Sequence, residues 1–183
     1  MKTIYFLRFK FFIILTLIFS GSISQLFSQS YYYVISRGVT DEFNMSAPGG
    51  NIILSSPAND VLSEIQTLPF TWNFYGNPVN QLKASDNGYI TFDISQTESF
   101  SVNTILPSTA TPNNAIYSFW DNIELSNNPS FITNEIKTYT VGSTPNRIFV
   151  IQWHATPLGK TGNGNYLFFA IRLYEQGNFD VIF

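Results

Sequence analysis

The chain contains no cysteine. That excludes disulfides, thiolate metal sites, a cysteine nucleophile and a lipid-modified N-terminal Cys. Many secreted domains rely on disulfides, so their absence fits a bacterial export product better than a small animal ectodomain. Charge is also scarce. Asp, Glu, Lys and Arg make up 11% of 183 residues, about half the usual quarter, so Ser, Thr, Asn and Gln must carry the surface. Histidine occurs once, as His154. One imidazole cannot build a zinc site, and with no Gly-x-Ser-x-Gly elbow beside it there is no serine-hydrolase signature. After the first thirty residues no apolar run approaches the ~20 residues of a membrane span, so the mature chain is expected to lack one.

What is present begins with an address. Lys2, Arg8 and Lys10 precede Phe11–Phe19 (FFIILTLIF), and Ser20, Gly21, Ser22 and Ser24 follow. This charged, apolar, small order is that of a secretory signal peptide. The leader is assigned to residues 1–28, with cleavage after Ser24 or nearer Ser28 to Ser30, and the protein is expected to be secreted or at the cell surface. Once the leader is gone, six bases face twelve acids, a net charge of −6. So few scattered bases suit neither nucleic acid nor an anionic membrane.

Beyond Tyr31 the sequence reads as strands and turns. Aromatics reach 17%, with 18 Phe and 10 Tyr, which favours pleated, half-buried surfaces. Strands are expected at Tyr31–Ser36, Asn51–Leu54, Pro69–Tyr75, Gln81–Ser85, Tyr89–Asp93, Ala115–Trp120, Glu135–Val141, Arg147–His154, Tyr166–Glu175 and Phe179–Phe183. The best helical segment is Asn59–Ile65, one or two turns long. In Tyr166–Glu175, Leu167, Phe169, Ile171 and Leu173 share one face and read as core; Tyr166, Phe168, Ala170, Arg172 and Tyr174 share the other. Arg147–His154 is apolar on both faces, as a central strand would be. Asp86-Asn87-Gly88 and Gln176-Gly177-Asn178 read as tight turns. The pattern implies an all-β, antiparallel β-sandwich, jelly-roll-like, as a single domain after the signal peptide. Residues 29–67 supply N-terminal strands and a connecting loop, and 68–183 the main sandwich. Because the sequence stops inside a strand at Phe183, a C-terminal truncation is expected.

The order of segments carries more information than any one of them. Leu68-Pro-Phe-Thr-Trp-Asn-Phe-Tyr-Gly76 is followed by Ala84-Ser-Asp-Asn-Gly-Tyr-Ile-Thr-Phe92 and Ile116-Tyr-Ser-Phe-Trp-Asp-Asn122. Asn146–Trp153, Phe168–Glu175 and Gly177–Phe183 complete the series. This order resembles the nidogen-like (NIDO-type) extracellular β domain over residues 68–183, especially the versions in bacterial secreted surface proteins exported as type IX secretion cargo. The resemblance implies an adhesion or matrix-type module without a shared active site. The animal relatives' cysteines and partner domains do not occur here, nor does a type IX sorting domain.

Residue chemistry leaves three readings of function. The first is a non-catalytic adhesion or binding module with an extracellular protein or glycan ligand. The second is a carbohydrate-binding or carbohydrate-active domain; the third is a structural spacer of a larger surface protein. Asp121 and Glu124 are the closest approach to a carboxylate pair for glycoside chemistry. Asp121, Asn122 and Glu124 also form an oxygen cluster that nominates calcium, the one cofactor considered; Asp86 and Asn87 form another. Neither has the Asp-x-Asp-x-Asp-Gly spacing. The Gly159–Gly164 run lacks Walker spacing and reads as a hairpin tip. Asn44-Met45-Ser46 fits a glycosylation acceptor. Contacts are expected from Asp121–Ser130 and Thr156–Asn165. Phe74, Tyr75, Ile90, Phe92, Phe119 and Trp120 are expected to pack in the core or on a sheet.

Overall fold

A computed structural model describes residues 49–106, 108–110, 112–126, 134–159 and 167–183. The leader, the strand expected at Tyr31–Ser36, the Asn44 acceptor and most of Gly159–Gly164 lie outside the described residues.

Among the described residues there are ten strands, all paired antiparallel: β1 (Asn51–Ser55), β2 (Gln66–Phe74), β3 (Asn77–Ser85), β4 (Tyr89–Thr91), β5 (Ala115–Tyr117), β6 (Ile123–Glu124), β7 (Glu135–Val141), β8 (Ile148–Pro157), β9 (Leu167–Tyr174) and β10 (Phe179–Ile182). One sheet has the order β1-β7-β8-β9-β10, with β6 also pairing β8; the other runs β2-β3-β4-β5. The two sheets face each other as a sandwich, and the period-two patterning explains why. Leu68, Phe70 and Trp72 alternate inward along β2, and Phe149, Ile151, Trp153 and Ala155 along β8. Phe169, Ile171 and Leu173 of β9 join them, with Leu167 packed at the margin. Each of the large side chains among them contributes roughly 1.5–3 kcal/mol by leaving water. Central β8 is buried on both faces over most of its length.

Pro69 sits inside β2 without cost to the ladder. The register of β2 on β3 shifts between Thr67 and Trp72, and β2 is an edge strand, where a missing N–H is tolerated.

Three local expectations change. Asn59–Ile65 is not helical: Leu62 bridges Ser85, the Ser63 N–H donates to the Ala84 carbonyl, and the Val61 N–H donates to Asp86. The Val61 and Ser63 donors are drawn to the end of β3 instead of into a helical turn. Tyr75 is 63% exposed, not core. With φ +48° it shares a two-residue hairpin loop with Gly76 at φ +84°, the backbone that a tight β-hairpin requires. Its ring stands perpendicular to that of Phe74, with centroids 4.8 Å apart. Strand β6 was not expected at all.

Candidate functional site

The motif segments Asp86-Asn87-Gly88 and Ser118–Asn122 are thirty or more residues apart in sequence and touch in space. The Gly88 carbonyl accepts the N–H groups of Ser118 and Phe119, at 2.9 and 3.1 Å, and the Ser118 hydroxyl at 2.8 Å. Gly88 has φ +77°, and a Cβ there would stand 2.9 Å from the Phe119 Cβ. Glycine is therefore required twice over, by angle and by space. Asn87 completes the joint: its Oδ1 accepts the Ile123 N–H at 3.1 Å, and its Nδ2 donates to Asp60 at 2.9 Å and to the Ser99 hydroxyl at 3.2 Å. An Asp-Asn-Gly turn ordinarily faces water. Here Asp86 and Asn87 are both 0% exposed.

Asp86 needs compensation for that burial, since a desolvated carboxylate is costly. The Val61 N–H donates to both its oxygens, at 3.1 and 3.2 Å, and the Ser99 hydroxyl lies 3.3 Å from Oδ1. Burial still dominates and pushes its pKa up to about 6. The Val61 and Ser99 hydrogen bonds pull it down, and the negative charge of Asp60 raises it further.

The joint also fixes a loop, residues 92–106, against the outer face of the four-stranded sheet. Ile90 points inward, so Tyr89 points out. Its hydroxyl accepts the Gln96 side-chain amide at 2.9 Å and the Phe100 N–H at 3.2 Å. Trp120, at φ +46°, donates its Nε1–H to the Thr104 carbonyl at 3.2 Å, and Asn103 Nδ2 donates to the Trp120 carbonyl at 2.6 Å. Tyr89, Tyr117 and Trp120 form one aromatic cluster beneath this loop. The Tyr117 hydroxyl closes the far side by donating to the Pro112 carbonyl.

The candidate calcium ligands lie next to this joint. Asp121 is exposed, and its Oδ1 accepts the Asn122 N–H at 2.8 Å. Glu124 Oε1 accepts the Gly159 N–H at 3.3 Å. Asn122 Oδ1 is a buried oxygen with no hydrogen-bond partner. Among the described residues, no group of three His, Asp or Glu side chains comes together as a metal site. His154 is buried and stacked on Phe168, with ring centroids 4.1 Å apart. Of the two loops expected to make contacts, residues 127–130 and 160–165 lie outside the described residues. The fixed loop at 92–106 was missed, although its Val, Ile and Leu among Ser, Asn and Thr were a signal.

A family model described as NIDO related matches residues 33–183. No curated protein and no solved structure matches the chain. The matched span contains every described strand and both halves of the joint, and it extends well beyond half of the sequence. The chain belongs to the NIDO-related family.

Proposed function

We propose that this protein is a secreted or cell-surface adhesion module that binds an extracellular protein or glycan and catalyses nothing. The family match over residues 33–183 is the observation that carries this reading. The sequence order of a leader followed by a β-sandwich supports it. So does the division of labour at the joint: Asp86 and Asn87 are spent on neighbouring side chains and backbone, and they help to hold a loop outward. Among the described residues no helix is long and apolar enough to cross a membrane.

The test is to recover the protein from the medium of expressing cells and sequence its N-terminus. The recovered chain is then assayed on a glycan array and on immobilised extracellular-matrix proteins. A start between Gln25 and Tyr31 together with saturable binding is the expected result. An intact leader on a chain held in the cytosol, or reducing-sugar release that Asp121→Asn with Glu124→Gln abolishes, contradicts it.

A further inference from the structure

Gln96, Ser99, Phe100, Asn103 and Thr104 tie the outer loop down. Interleaved with them, Val102, Ile105 and Leu106 face outward, 74%, 93% and 41% exposed. Single exposed apolar residues are ordinary. Three within five positions, on a tethered loop, concentrate exposed apolar surface of the kind that marks interaction sites. None of them belongs to the core, so the fold does not use them. Because the loop is already fixed, little ordering entropy remains to be lost when a partner arrives.

We propose that Val102, Ile105 and Leu106 are the contact surface for a protein partner that offers an apolar pocket bordered by Lys or Arg. This rests on the binding-module reading and specifies its surface. Charge selects the partner. The sequence has no Lys, Arg or His between Lys83 and Lys137. Asp93 and Glu98 lie in the loop, and Asp121 follows the Trp120 whose carbonyl Asn103 holds. All three are exposed, and none forms an ion pair with a described residue. Lys83 does reach the loop, but its ammonium is turned onto the Gln96 carbonyl at 2.6 Å. A second copy of this chain would set one acidic, base-free segment against another, and an anionic lipid surface would be repelled in the same way. A basic-rimmed apolar pocket satisfies both the patch and its border.

The experiment selects a displayed random-peptide library on the full chain and on V102S/I105S/L106S. All three side chains are solvent-facing, so the variant is expected to melt with the parent, which separates a binding loss from unfolding. The expected result is enrichment of peptides with large apolar residues flanked by Lys or Arg. Retention should fall about a hundredfold or more on the triple variant, given the usual gain from burying three such side chains. It should also weaken in about 1 M salt, where the Debye length is roughly 3 Å. Peptides held equally by both proteins overturn the loop assignment and leave the binding-module reading standing. Binding to phosphatidylcholine vesicles that the triple variant loses, or self-association that it loses, also overturns the proposal by naming a different occupant. If no peptide, glycan or matrix protein is retained, both readings fall.

Discussion

The Trp153 Nε1–H donates to the Ser85 carbonyl at 2.8 Å, across the sandwich, and both residues are fully buried. This bond joins central β8 to the end of β3, where the Asp86-Asn87-Gly88 turn begins. The turn is thus anchored from below by the indole and from the side by Ser118 and Phe119. Trp153→Phe keeps a ring to stack on Phe169, now at 5.0 Å, but removes the donor and leaves a void. A loss of about 2–3 kcal/mol is expected in urea unfolding, from one buried hydrogen bond and a small cavity. A loss under about 0.5 kcal/mol means that the anchor is not used.

Two glycines with positive φ should respond differently to alanine. Gly177, at φ +99°, turns β9 into β10 with open space around its missing Cβ; Gly88 has no such space. Gly177→Ala is expected to cost about 1 kcal/mol, the backbone term alone. Gly88→Ala adds a collision with the Phe119 Cβ and the Trp120 backbone, which cannot swing aside, and should cost about 2–4 kcal/mol. Equal melting shifts for the two variants would remove the close approach as a cause.

Asn103→Ala tests the tethering of the outer loop. Its Nδ2 bond to the Trp120 carbonyl is solvent-exposed, so global stability should move by no more than about 1 kcal/mol. The local effect should be larger, because a released loop opens to proteases without global unfolding. Limited proteolysis should cut between Phe100 and Leu106 faster in the variant than in the parent. Unchanged cutting there, at equal global stability, argues that Thr104 and Phe100 suffice to hold the loop.

Much of this architecture could be read from the chain because the inward and outward residues of long strands strictly alternate. Leu167, Phe169, Ile171 and Leu173 could only form a core face, and the doubly apolar Ile148–His154 run could only sit centrally. The glycine turns at Gly88 and Gly177 were legible for the same reason, since few other residues accept their angles. What was illegible depended on partners distant in sequence. Ile123–Glu124 is too short to show a period. Asn59–Ile65 has a helix-like spacing, but its N–H groups have better acceptors at Ala84 and Asp86. The burial of Asp86 was hidden because Asp-Asn-Gly is a surface formula. Nothing local to the turn reveals that Val61, Ser99 and Ile123 close over it.

That burial has a pH signature whose sign is opposite to that of an ordinary paired carboxylate. The folded state holds the Asp86 proton up to about pH 6, whereas the unfolded chain releases it near 3.8. Between those values the folded form binds more protons, so stability contributed by this group falls as pH rises from about 4 to 6 and is level above that. The difference between neutral and acid conditions is on the order of 3 kcal/mol. Glu175 works in the other direction. The Arg147 guanidinium, which hydrogen-bonds it at 2.6 and 2.9 Å, holds its pKa below the ordinary 4.5. Its stabilisation is present above that value and is lost as pH falls through the lowered one. Between about 4.5 and 6 the Glu175 contribution changes little, and comparing parent with variant cancels the titrations that both chains share. Parent and Asp86→Asn should be compared by urea unfolding across that window. The amide still accepts the Val61 N–H but cannot ionise, so the variant should gain on the parent steadily as pH rises and stop gaining near 6. A stability difference that stays constant across the window would mean that Asp86 titrates as an ordinary solvent-exposed acid, and the buried joint would need to be redrawn.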